Sequence, residues 1–132
     1  GLKRGAIDAV VSAHDPQPPE DKRLPIAEAA FGAVGLETLL PALLSLVARD
    51  EVPLLAALKA VTCGPADLLG LPQGRLKKGA PADLVLFDPA APWACDRDDL
   101  NSRSKNSPFD GRRLEGKVLR TWVNGATVFE RG

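Results

Sequence analysis

The segment Ser12-Ala13-His14-Asp15-Pro16 carries the chain's single histidine next to a carboxylate. It follows Ala6-Ile7-Asp8-Ala9-Val10-Val11, a short run that is rich in β-branched residues and almost continuously apolar. Such a run reads as a strand buried on both faces, as in a parallel sheet. In α/β barrels the active site lies at the carboxy ends of the strands. An imidazole and a carboxylate placed there can ligate a metal ion or move protons. The same pair can equally do no more than close a turn, with His14 hydrogen-bonded locally and Asp15 capping it. Lys22 and Arg23 lie in the loop that follows, where they can attract an anion or form a solvated charge pair. Cys63 and Cys95 lack CxxC spacing and read as reduced thiols of a cytoplasmic protein.

The elements that must position these groups change type along the chain. The strand expected over residues 6–12 ends in a polar loop to about Pro25, where Pro16, Pro18, Pro19 and Pro25 argue against a regular helix. Gly35-Leu36-Glu37-Thr38 opens a helix in which Leu36, Leu39, Leu40, Leu43, Leu44 and Val47 recur at three- and four-residue spacing. Pro41 fits its first turn. After a turn at Asp50-Glu51-Val52-Pro53, a second helix carries Leu54, Leu55, Leu58 and Val61. A third, over residues 65–69, ends at Gly70, a left-handed cap. The period then becomes that of strands. Residues 82–88 form one, bounded by Pro81 and Pro89, and residues 93–96 a short edge strand. Residues 98–116 read as a polar loop. The chain closes on a hairpin, residues 117–123 and 126–130, turned by Asn124-Gly125.

The bulk composition narrows the class. Apolar residues at 45% and charged residues at 26% are ordinary for a soluble globular protein. Seventeen basic residues balance seventeen acidic ones, which gives no electrostatic reason to expect nucleic acid or an anionic membrane as partner. The longest apolar stretch, residues 39–48, is too short to span a bilayer. The opening residues do not make a signal peptide. The chain starts at Gly1 and has no methionine, which suggests a fragment or a processed chain. One buried parallel strand cannot make a sheet, so its neighbours are expected in upstream residues or another chain.

Several segments together resemble the dihydroorotases of the amidohydrolase superfamily. They are Ile7-Asp8-Ala9-Val10-Val11-Ser12-Ala13-His14-Asp15-Pro16-Gln17, Lys22-Arg23-Leu24-Pro25, Ala29-Ala30-Phe31-Gly32-Ala33-Val34-Gly35-Leu36-Glu37-Thr38, Gly79-Ala80-Pro81-Ala82-Asp83-Leu84-Val85-Leu86-Phe87-Asp88, Ser104-Lys105-Asn106-Ser107-Pro108-Phe109-Asp110-Gly111 and Gly116-Lys117-Val118. The stretch over residues 79–88 is generic to the superfamily. The block over residues 31–38, at its distance from His14, is far more specific to dihydroorotases, and within it Gly35-Leu36-Glu37-Thr38 argues for these over hydantoinases and allantoinases, which share the chemistry on other substrates.

The resemblance implies an α/β fold: the carboxy-terminal part of a TIM-like (β/α)8 barrel plus part of a small β-sandwich. Residues 1–72 would hold the last barrel strand and its helices, and residues 73–132 the β-sandwich module. The implied reaction is the reversible cyclisation of N-carbamoyl-L-aspartate to L-dihydroorotate, in pyrimidine biosynthesis. The full-length family uses zinc, which lowers the pKa of bound water to about 7 and polarises the amide carbonyl. A carboxylate at the end of the last barrel strand exchanges the proton.

Ala13 stands where the family pattern Asp-His-x-Pro places that catalytic aspartate, and a methyl group neither ligates metal nor accepts a proton. Asp15 lies two residues further, roughly 6–7 Å along an extended chain, which is too far to take over a contact of about 2.6–3.2 Å. The family's metal histidines and bridging lysine lie on earlier strands, so this chain alone is expected to bind no zinc and to be inactive. His14 reads as structural or supporting. Phe31 and Gly32 match positions whose backbone meets the dihydroorotate ring; a glycine there lets the main chain approach a ligand. A plain loop-to-helix junction is the alternative. Gln17 stands where many members carry a histidine that binds the substrate carboxylate, and an amide can donate there without charge. Implied partners are the small-molecule substrate, a second copy or the missing barrel half, and, for a catalytically dead scaffold, aspartate transcarbamoylase.

Overall fold

The computed structural model describes residues 1–132. Four helices precede three strands: α1 (Pro19–Lys22), α2 (Leu39–Ala48), α3 (Leu54–Lys59), α4 (Cys63–Leu68), β1 (Leu84–Ala94), β2 (Arg113–Val123) and β3 (Ala126–Glu130), with 3-10 turns at Leu2–Arg4 and Arg97–Asp99. The chain is thus α/β, with one antiparallel sheet in the order β1-β2-β3.

Helix α2 begins four residues later than expected. Thr38 is its N-cap residue, and Pro41 sits in the first turn, where a missing N–H breaks no helical bond. Pro41, Leu43 and Leu44 form its buried stripe, which lies on β2 and α3. The loop after Pro16 does contain a turn of helix, contrary to expectation. Pro18 is extended (φ −65°, ψ 150°) and Pro19 occupies the first helical position, the one place where proline's fixed φ suits a helix. Helix α4 starts at Cys63 rather than Pro65.

Strand β1 joins most of the two stretches expected as separate strands, leaving residues 82–83 and 95–96 outside it. Pro89 does not end it, because the ladder shifts register between Asp88 and Pro92, and an irregularity is where a sheet tolerates residues without an N–H. The terminal hairpin forms at the expected turn, with Val123 opposite Ala126, but its first strand begins at Arg113, inside the stretch expected as loop. Asn124 (φ 49°) and Gly125 (φ 79°) provide the two positive φ values of its tight turn.

Residues 6–12 form no strand. They run beside the helices, with Val10 N–H donating to the Ala60 carbonyl at 2.8 Å, and the only strand-like pairing near them is a parallel bridge between His14 and Ala33. A parallel strand requires neighbours supplying a ladder, and this chain supplies one bridge. Val11 accordingly remains 73% exposed.

Val34, Cys95, Leu100 and Leu114 make the buried cluster, with Trp93 and Phe109 against it. It draws Val34 from the first part of the chain and the others from the second, so one core crosses residue 72. Burial is otherwise sparse. The accessible surface is 9,108 Å², roughly 2,400 Å² above the value that size scaling gives a globular chain of this mass. Ile26, Phe31, Leu55, Leu69 and Leu76 are among the large apolar side chains left in solvent. No helix is long and apolar enough to cross a membrane.

Candidate functional site

Three loops converge at one end of the molecule: residues 12–17, residues 30–35 and residues 104–109. The first two run side by side. Asp15 N–H donates to the Ala33 carbonyl at 2.9 Å, and Gly35 N–H donates to His14 Nδ1 at 3.2 Å. That bond puts the imidazole proton on Nε2 and makes His14 a brace between the loops. The Ser12 hydroxyl accepts from His14 N–H at 3.3 Å.

Ala13 sits at φ 45°, a left-handed conformation that is unfavourable for an L-residue with a Cβ. Its side chain is exposed. The Asp15 carboxylate does not reach towards it as a substitute. It lies against Gly32, where a Cβ added to that glycine would meet Oδ2 at 2.6 Å and Cγ at 2.8 Å and would also strike the Asp15 carbonyl oxygen. Gly32 (φ 110°) is therefore a glycine on two counts, its backbone angle and the wall formed by Asp15.

The Gly32 carbonyl accepts twice, from Lys22 Nζ at 3.1 Å and from Asn106 Nδ2 at 3.1 Å. Lys22 also donates to the Ala30 carbonyl at 2.7 Å. The N–H groups of Phe31 and Gly32 donate to no group of the chain, and the Phe31 ring is 93% exposed. Gln17 is anchored by its backbone, its N–H donating to Asn106 Oδ1 at 3.3 Å. Beside it lies a cleft of about 300 Å³ lined by Gln17, Pro19, Lys22, Arg23, Arg97, Asp98, Lys105 and Asn106. Four cationic side chains against one carboxylate make it locally positive on a chain of zero net charge.

Ala13, Gln17, Phe31 and Gly32 thus come together around one loop cluster. Lys22, read from the sequence as an anion attractor or a solvated charge, has its ammonium group on two carbonyls of the Phe31–Gly32 loop. Asn106 was given no role of its own. Its partners lie 89 and 74 residues away in sequence, and no local pattern announces such a pairing.

The residues present do not fit the zinc that the resemblance implies. No three His, Cys, Asp or Glu side chains converge anywhere, and Nδ1 of the only histidine is already an acceptor for Gly35 N–H.

The chain is 45% identical over 131 residues to a dihydroorotase from Wolbachia sp. subsp. Drosophila simulans (strain wRi), covering 99% of this chain and 30% of that protein. It is 46% identical over 129 residues to a dihydroorotase from Anaplasma phagocytophilum (strain HZ), covering 98% and 29%. Among solved structures, the L-hydantoinase (dihydropyrimidinase) from Arthrobacter aurescens superposes with a TM-score of 0.92 at 35% identity, covering 99% of this chain and 30% of that one. The D-hydantoinase (dihydropyrimidinase) from Thermus sp., with a TM-score of 0.90 at 24% identity, shares the fold over 98% of this chain and 30% of its own. The chain therefore spans about 30% of the length of the relatives it matches. The Amidohydrolase family model matches residues 8–129, nearly the whole chain. On that extent of match, the chain belongs to the amidohydrolase family.

Proposed function

We propose that this chain is the substrate-facing, carboxy-terminal portion of a dihydroorotase, an enzyme that interconverts N-carbamoyl-L-aspartate and L-dihydroorotate. In this reading it contributes binding groups and neither metal site nor proton acceptor. The observation that carries the proposal is the pair of unpartnered N–H groups at Phe31 and Gly32, held beside the loop that ends in Gln17. Two adjacent amides of fixed orientation suit the carbonyl edge of a cyclic amide, since hydrogen bonds to a preorganised backbone cost little reordering on binding. A side-chain amide at Gln17 can donate to a ring carboxylate. The positive cleft at Lys22, Arg23 and Lys105 raises the local concentration of an anionic substrate. The relatives named dihydroorotase, at 40–46% identity, favour this substrate over hydantoins, although the hydantoinases share the fold.

In the intact protein, the barrel implied by this fold would cover the apolar groove lined by Val10, Val11, Leu39, Leu43 and Leu46. Residues 6–12 would gain the neighbours they lack and become its last strand, and the three-stranded sheet would be completed as part of a β-sandwich. Zinc, where the family carries it, would sit on ligands from outside this chain.

A second reading is favoured by one residue. Ala13 offers a methyl group where the family pattern has a carboxylate, which is what a catalytically silent homologue assembling with aspartate transcarbamoylase would carry. Zinc content and dihydroorotate hydrolysis of the 132-residue chain, together with calorimetric titration of L-dihydroorotate, test both readings. Saturable binding without zinc or turnover is the expected result. Turnover with bound zinc would overturn the assignment of Ala13. Absence of binding, or preference for hydantoin, would overturn the substrate class and leave the scaffold or hydantoinase reading.

A further inference from the structure

We infer that Asn106 is the positioning residue of this site: one side-chain amide on the loop leading into β2 sets the orientation of both substrate-facing loops. The inference rests on the binding role proposed above for Phe31 and Gly32.

Asn106 uses three of its polar groups on the two loops. Its Oδ1 accepts from Gln17 N–H at 3.3 Å, its Nδ2 donates to the Gly32 carbonyl at 3.1 Å, and its main-chain carbonyl accepts from Val34 N–H at 3.1 Å. A primary amide is suited to this because donor and acceptor lie in one rigid plane. The Gln17 N–H and the Gly32 carbonyl are therefore held at a fixed mutual angle as well as a fixed distance.

Gly32 needs such an anchor. Without a Cβ its φ and ψ are the least restricted of any residue, and its own N–H has no acceptor. What remains to hold φ at 110° is the carbonyl end, gripped by Asn106 and Lys22, and the Asp15 wall on the other side. Because the peptide unit is planar, pinning that carbonyl fixes the whole Gly32–Ala33 plane. The Phe31–Gly32 unit, which carries the free Gly32 N–H, lies between that plane and the Ala30–Phe31 unit, whose carbonyl Lys22 holds. Asn106 and Lys22 are unequal partners. Lys22 grips only the Phe31–Gly32 loop, whereas Asn106 ties that loop to Gln17 and, through Val34, to the core it shares with Cys95 and Leu114.

The chemistry of the amide makes the test selective. Asn106→Asp keeps an oxygen to accept from Gln17 N–H but turns the Gly32 contact into oxygen against oxygen. Lys22→Gln removes the second grip and leaves Gln17 untouched. The measurement is backbone 15N relaxation of the free 132-residue chain, with L-dihydroorotate titration alongside. In Asn106→Asp the order parameters of Phe31 and Gly32 are expected to fall from about 0.85 to below about 0.6, while Gln17 and β3 stay unchanged. L-Dihydroorotate should bind at least about tenfold more weakly, and Lys22→Gln should reproduce the Gly32 change in smaller measure. A general loss of stability would move Gln17 and β3 as well, and that result overturns the inference, as does a Gly32 that stays ordered in both variants. If the parent chain binds no L-dihydroorotate while Gly32 still loosens selectively, the positioning role stands and the substrate reading fails.

Discussion

Replacing Gly32 with alanine adds one methyl group, and the structure sets its cost in two parts. A residue with a Cβ at φ 110° is strained by about 1–3 kcal/mol. The new Cβ would also lie 2.6 Å from Asp15 Oδ2 and against the Asp15 carbonyl. The carboxylate can rotate aside. The carbonyl moves only with the backbone of its loop, which is tied to the neighbouring loop by the bond from Asp15 N–H to the Ala33 carbonyl. One loop must therefore move by about 1 Å from contact to ordinary van der Waals separation, giving up one or two hydrogen bonds worth about 0.5–1.5 kcal/mol each. The expected loss is about 1.5–6 kcal/mol, centred near 4 kcal/mol. Gly70→Ala is the internal control: its φ of 67° is also left-handed, but nothing lies within 4 Å of the added Cβ, so only the backbone cost of about 1–2 kcal/mol applies. Urea unfolding followed by the fluorescence of Trp93 and Trp122 measures both. Gly32→Ala should exceed Gly70→Ala by about 2 kcal/mol at equal m value. Equal losses would refute the packing of Asp15 on Gly32, and with it the geometry assigned to the site.

Two further outcomes follow from burial. Burial pushes the Cys95 thiol above its ordinary range, opposed in part by a hydrogen bond with Ser107. The unfolded thiol ionises first, so stability is complete below about pH 8.5 and declines as pH rises from there through the higher folded value. Urea midpoints between pH 7 and 10 should fall in the parent and flatten in Cys95→Ala, and an identical slope in both would contradict this. The roughly 2,400 Å² of excess surface predicts association of the free chain. Light scattering coupled to size exclusion should show dimers or larger species that Val11→Lys shifts towards monomer, and a monodisperse parent monomer would sink the prediction.

What was legible in the sequence divides by the range of the forces involved. The hairpin turn at Asn124-Gly125 and the leucine stripe of α2 depend on residues within one or two turns of each other; the turn formed where its pattern placed it, and the stripe formed from Leu39 on, leaving Leu36 outside the helix and exposed. The single strand over residues 84–94 was read as two because Pro89 and Pro92 break its local pattern, whereas the ladder with β2 tolerates them at a register shift. Residues 6–12 have a strand's composition and no strand, since composition cannot supply the neighbours that a parallel ladder needs. The exposure of Ile7 and Val11 is the physical trace of that lack.

The site follows the same division, and the consequence concerns how its parts depend on each other. Ala13, Gln17, Phe31 and Gly32 were reached through resemblance, and the three-loop geometry explains why they sit together. The group that binds those loops, Asn106, belongs to the other half of the chain and acts across 74 and 89 residues. Val34, two residues beyond Gly32, is 1% exposed in a core whose other members are Cys95, Leu100 and Leu114. Order in the loops at residues 12–17 and 30–35 is thus borrowed from the β module through one hydrogen-bonding side chain and one apolar one. A perturbation of the β module that loosens Leu100 or Leu114 should reach Gly32 through Val34, whereas a change in β3, which shares neither contact, should leave the site undisturbed.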